Sequence, residues 1–144
     1  MNDFTCKLVT GDTELQSAFE VRRLVFVQEQ GVAEALEYDG LDDEALHVIA
    51  KDGDIVVGTS RVLFPTHNQA KIERMAVLQP FRRKGIGSAI LSFVKQELRN
   101  RGIEHAVLHA QTTVIGFYSL HGFQETGSPF WEAGIEHMEM WINL

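Results

Sequence analysis

Residues 82–87, Arg-Arg-Lys-Gly-Ile-Gly, set three cations and two glycines directly ahead of an apolar-periodic segment. That arrangement suits phosphate. The first N–H groups of a helix have no helical partner, the helix dipole favours negative charge there, and glycine lets an anion approach the backbone. The donors would be the N–H groups of Gly85, Ile86, Gly87, Ser88 and Ala89, with Arg82, Arg83 and Lys84 as counter-charges. A nucleoside-triphosphate loop of the form G-x-x-x-x-G-K-[ST] is excluded, because no Lys-Ser or Lys-Thr follows at the required offset. A dinucleotide fingerprint fails too. Ser88, Ala89 and Ile90 follow Gly85-Ile86-Gly87, and Glu104 opens the next strand where the pattern needs an acid closing it. What remains is a pyrophosphate approached from residues 71–78.

Such an anion must be positioned by the elements on either side. Downstream, Ile86, Ala89, Ile90, Phe93, Val94 and Leu98 recur at helical spacing and Gly102 stands where a helix would end, so the positive end of this helix faces residues 82–87. Upstream, 46–51 and 54–64 flank Asp52-Gly53 as a hairpin, and a second turn near Pro65 to Asn68 leads back through 70–78. Residues 4–9 read as an opening strand. A helix capped by Asp12 or Thr13, with Gln16 completing a capping box, then carries Leu15, Ala18, Phe19, Arg22 and Phe26 and fades before Gly31. Residues 103–110, 122–126 and 135–142 read as later strands, and 112–122 as a short helix. The order implies an α/β fold, helices covering both faces of a mixed sheet.

At 144 residues the chain reads as one domain, 1–144, able to bury roughly 70% of its unfolded surface. A net charge of −7 argues against a general nucleic-acid binder, so the basic run is a local feature. The start, MNDFTCKLV, lacks the basic and apolar regions of a secretory leader, and no 18-residue apolar run suggests a membrane span. A single cysteine, Cys6, excludes an internal disulfide and reads as a small buried hydrophobe. The expectation is a cytoplasmic protein without a membrane partner.

The run Arg82-x-x-Gly85-x-Gly87 resembles the acyl-coenzyme A loop, [Q/R]-x-x-G-x-[G/A], of the GNAT (Gcn5-related N-acetyltransferase) superfamily. Three further stretches resemble that family in order and spacing. Residues 75–83 look like its fourth strand and exit, 103–111 like its fifth strand, and Gly116 to Phe123 like its F-Y-x-K-x-G-F segment. Residues 25–30, 37–50 and 134–140 are similar to the ElaA-like branch. The resemblance spans roughly residues 15–143. It implies a mostly antiparallel mixed sheet splayed between the fourth and fifth main strands, acetyl-CoA as acyl donor, and no metal. It also implies that the backbone of Met75, Ala76 and Val77 pairs with the pantetheine arm, with Gln111 and Phe117 as further cofactor contacts. Leu120 stands where many relatives have lysine, and Gln111 where many have asparagine.

Acyl transfer to an amine needs a neutral nucleophile, a polarised carbonyl and a proton for the thiolate. Tyr118 suits the last role as general acid. Its phenol is protonated at neutral pH, although an aromatic at this spacing also packs a core. Glu73 is the candidate base, on the same strand face as Met75 and Val77 by alternation, with an ion pair to Arg61 or Arg74 as the structural alternative. His47, His109 and His137 are rivals. His105 and His109 share a face but stand about 13 Å apart along a strand, too far for one metal ion. Residues 34–44 hold six carboxylates and read as a solvated loop. They fail the calcium-loop pattern, and Glu37, Asp39, Asp42 and Asp43 would draw a cationic amine by long-range field. The acceptor would be a small-molecule or peptide primary amine. Alternatives are a non-catalytic acyl-CoA sensor and an acyltransferase similar to acyl-homoserine-lactone synthases. The closing strands and Trp141 offer an edge for a homodimer.

Overall fold

The computed structural model describes residues 4–144. Met1, Asn2 and Asp3, which begin the stretch read for a leader, lie outside it. In chain order the elements are β1 (Phe4–Leu8), α1 (Gly11–Arg22) running on as a π-helical segment (Arg23–Glu29), α2 (Glu34–Glu37), β2 (Leu46–Asp52), β3 (Ile55–Thr66) and β4 (Gln69–Val77). Then come α3 (Ile86–Asn100), β5 (His105–Gln111), α4 (Ile115–Leu120), β6 (Gln124–Glu132) and β7 (Ile135–Asn143). The strands form one sheet in the order β1-β2-β3-β4-β5-β7-β6. Among the described residues, β4 and β5 are the one parallel pair. Among the described residues no helix is long and apolar enough to cross a membrane.

The helical stripe of α3 packs Ile86, Ile90, Leu91, Val94 and Leu98 against Val48, Val62, Ile72 and Leu108 of the sheet. On the opposite face Val21 and Val25 meet Ala76. Helices thus cover both faces, as the alternation of elements implies. α1 begins earlier than its capping residues suggest. Instead of Asp12 or Thr13 with Gln16, it is Thr10 that precedes the helix, and Glu14 accepts from both the Thr10 N–H (2.8 Å) and its hydroxyl (3.1 Å).

Two irregularities of β4 shape the site. Its parallel pairing with β5 runs from Gln69↔His105 to Ile72↔Leu108. Beyond Ile72 the strands part, which is the splay implied by the resemblance. The second irregularity is a bulge: Thr59 pairs with Ala76 and Arg61 with Glu73, so Arg74 and Met75 together oppose Ser60. Arg74 takes a left-handed backbone, φ 54, to make it. The extra residue shifts the alternation. Glu73 therefore shares the α1 face with Ala76, while Met75 and Val77 join the α3-side core, correcting the same-face expectation for the three.

Candidate active site

Where β4 and β5 diverge they open a cleft of about 900 Å³. One end is the N-terminus of α3. Gly85 precedes that helix at φ 83, a left-handed conformation in which a Cβ is strained, and Arg83 is also left-handed at φ 64. The first helical bond runs from the Ala89 N–H to the Gly85 carbonyl, 3.0 Å. The N–H groups of Ile86, Gly87 and Ser88 therefore lie ahead of it, and the expected donor set ends one residue sooner. Gly87 faces Phe117: a Cβ built there would sit 3.4 Å from the ring.

The three cations have different employments. Arg83 lines the cleft. Arg82 also lines it, but its guanidinium holds both carboxylate oxygens of Glu29 at 2.6 and 2.7 Å and donates to the Val77 carbonyl at 2.8 Å. That bond to Glu29 raises Arg82 above its usual pKa and lowers the Glu29 carboxyl. It also ties the loop to the helical segment after α1. Lys84 lies over the Phe81 ring, 5.6 Å from the centroid, and is not part of the cleft wall.

Along the middle, Met75, Ala76 and Val77 line the cleft. β3 pairs with one edge of this stretch, Gly58↔Val77 and Thr59↔Ala76, and the edge facing β5 lies past the last parallel pair. An unpaired edge of this kind accepts an extended ligand as a further strand. Phe117 and Tyr118 approach it from α4, their rings edge to face at 5.0 Å. Tyr118 is 8% exposed, and burial pushes its phenol up to about 12. Gln111 ends β5 and donates to the Gln30 side chain at 2.9 Å, closing the far side of the splay.

The other end is built from the stretch read as a solvated loop: most of it is exposed, but Glu37, Asp39 and Asp42 are drawn into ion pairs. Glu37 is 2% exposed and takes a two-pronged bond from Arg22, 2.8 and 2.9 Å. Arg22 also holds Asp42 at 2.7 Å. Arg61, fully buried, binds Asp39, Asp42 and Glu73 at 2.8, 3.1 and 2.8 Å. Arg74 donates to the carbonyls of Leu36 and Glu37. Burial works against the Arg61 charge, yet its bonds to Asp39 and Glu73 prevail and raise it, while Arg61 drives the Asp39 carboxyl far below the usual range. Of the four acids expected to steer an amine, three are thus neutralised locally, and Asp43 alone stays outside these pairs. Glu73 lines the cleft between Arg61 and Lys71, the latter at 3.3 Å.

Completing this end are His109, Glu132 and His137. His109 meets Glu132 at 3.1 Å and Glu139 at 3.5 Å. His47 instead contacts the Asp42 carbonyl, away from the cleft. Among the described residues no group of three ligating side chains could hold a metal ion.

A helix N-terminus, an open strand edge and a buried phenol thus share one cleft. The model of the acetyltransferase (GNAT) domain matches residues 12–144. The chain belongs to the GNAT acetyltransferase family. This GNAT chain is 36% identical over 137 residues to YyaT of Bacillus subtilis, covering 93% of the chain and 92% of that protein. The GNAT fold is shared with Escherichia coli ElaA at a TM-score of 0.84 and 23% identity, covering 98% and 99% of the two chains. It is shared as well with a GNAT family acetyltransferase from Elizabethkingia anophelis solved with acetyl-CoA bound, at a TM-score of 0.78, 18% identity and full coverage of both chains.

Proposed function

We propose that this acetyltransferase moves the acetyl group of acetyl-CoA directly to a primary amine of a small molecule or peptide. The observation carrying the reading is the open β4 edge at Met75–Val77, which runs from the α3 N-terminus toward Tyr118 within one cleft. The residues fit the donor. The N–H groups of Ile86, Gly87 and Ser88, with Arg83, would bind its pyrophosphate. The β4 backbone would pair with its pantetheine amides, Phe117 would pack beside the arm, and Gln111, next to the splay, would bound the thioester.

Tyr118 is then the proton donor to sulfur. With its pKa near 12 it keeps its proton throughout the neutral range. Full transfer to a free thiolate of pKa about 8.5 runs uphill. Tyr118 therefore acts by hydrogen-bonding the sulfur as charge develops and passes on a proton that solvent replaces. Glu73, held by Arg61 and Lys71, contributes a fixed negative charge on the acceptor wall. Two cations already share its oxygens, so it is poorly suited to draw a proton from the amine.

Thiol release from acetyl-CoA, measured with and without spermidine, glycinamide or lysine amide, tests the reading. Amine-dependent release is expected. Micromolar acetyl-CoA binding without release for any amine would favour a cofactor sensor instead.

A further inference from the structure

Direct transfer needs a proton acceptor on the amine side of the cleft, and β7 carries one; this inference rests on the transferase reading above. His137, 7% exposed, stands opposite Gln111 in the β5–β7 ladder and lines the cleft. Its Nδ1 lies 2.7 Å from the Ile135 carbonyl oxygen. A carbonyl has no proton to give, so Nδ1–H is the donor, and in the neutral ring Nε2 keeps its lone pair. Phe130 stacks on the ring with centroids 6.0 Å apart. The nearest carboxylate oxygen to Nε2, from Glu132 on β6, is 3.9 Å away, beyond hydrogen-bond distance.

The other charged groups at this end are already committed. His109 on β5 has a carboxylate beside each ring nitrogen. Glu136 on β7 accepts from the Thr112 hydroxyl. Across the cleft, Lys71 of β4 and Arg61 of β3 share Glu73 of β4. The His109 bond lowers the Glu132 carboxyl, which stays an anion.

We propose that His137 Nε2 is the general base. The amine lone pair attacks the thioester carbonyl carbon, forming the C–N bond, and the N–H proton passes to Nε2. The C–S bond breaks with its electron pair going to sulfur, which receives a proton from Tyr118. Imidazolium and phenolate then return to their resting states by exchange with solvent. Glu132 balances the charge on the imidazolium while it lasts.

The ligand-free enzyme gives the first test. Long-range 15N–1H correlations of the histidine rings at alkaline pH should show His137 protonated at Nδ1 and bare at Nε2; an Nε2–H tautomer overturns the assignment. In kinetics, His137→Ala should lose about 100-fold in kcat with acetyl-CoA affinity unchanged. Added imidazole should restore activity saturably, in proportion to its neutral fraction. His137→Gln, which keeps a hydrogen-bond donor for Ile135, should be as slow and serves should the alanine variant unfold. Wild-type activity in either variant, or a loss that imidazole does not restore to His137→Ala or, if that variant unfolds, a loss of acetyl-CoA affinity in His137→Gln, overturns the base. No amine-dependent release by wild-type enzyme overturns the transferase reading itself, and the base with it.

Discussion

Tyr118 shows how burial sets the working range of a side chain. Its phenol packs edge to face on Phe117 and Phe123, and loss of solvent around the charged form pushes its pKa to about 12. Tyr118→Phe should lower kcat by roughly 100-fold while leaving the KM for acetyl-CoA within a few fold, as initial-rate kinetics would read. Because the phenol ionises only near 12, the kcat–pH profile of the wild type should carry no Tyr118 limb in the neutral to mildly alkaline range. An alkaline fall centred well below that value, absent from the phenylalanine variant, would contradict the role. The chemical suitability of Tyr118 was legible in its motif. The bare Nε2 of His137 was not: the carbonyl that takes Nδ1–H belongs to Ile135, two residues earlier on the same strand, and the side-chain rotamer, which no residue pattern encodes, decides that contact.

At the scale of elements, α3 was written openly in the sequence, its apolar period and glycines marking both stripe and N-terminus. Gly87 allows a clean experiment there, because its φ is ordinary and only Phe117 stands near a new Cβ. Gly87→Val should raise the acetyl-CoA Kd at least tenfold in calorimetry with little change in Tm, whereas Gly85 substitutions mix that effect with backbone strain at φ 83. The pairing of the 34–44 acids was missed because their partners are distant in sequence. Arg22 and Arg61 lie on elements whose local pattern says only helix or strand, and folding alone brings them to Glu37, Asp39 and Asp42. Removing one member of a buried pair leaves its partner uncompensated, so Glu37→Gln should cost about 3 kcal/mol. Thermal unfolding would show this as a drop of roughly 10 °C.

Over the whole molecule these pairs set the response to acid. Asp39 and Glu29 are lowered by their arginines, and Asp42 is too, since Arg22 and Arg61 outweigh its burial. A carboxylate with a depressed folded pKa contributes stability above its unfolded value, about 4, and loses it as pH falls through the folded one. Stability should therefore hold at neutral pH and decline progressively below about pH 4. Asp39→Asn should flatten that decline in denaturant titrations; an unchanged slope would show that Asp39 does not drive it.

What the sequence determined by itself was the local and periodic part: the α3 stripe, the hairpins, the phosphate-suited turn and the tyrosine beside it. Those signals depend on neighbours within a few positions, so they survive without a fold. The tertiary structure decided the rest. Arg74 inserts a bulge that turns Glu73 away from Met75 and Val77, and three acids of the acidic stretch pair with the buried Arg22 and Arg61. Each depends on long-range pairing, and a strand's alternation predicts a side chain's face only while no residue has been added to the ladder.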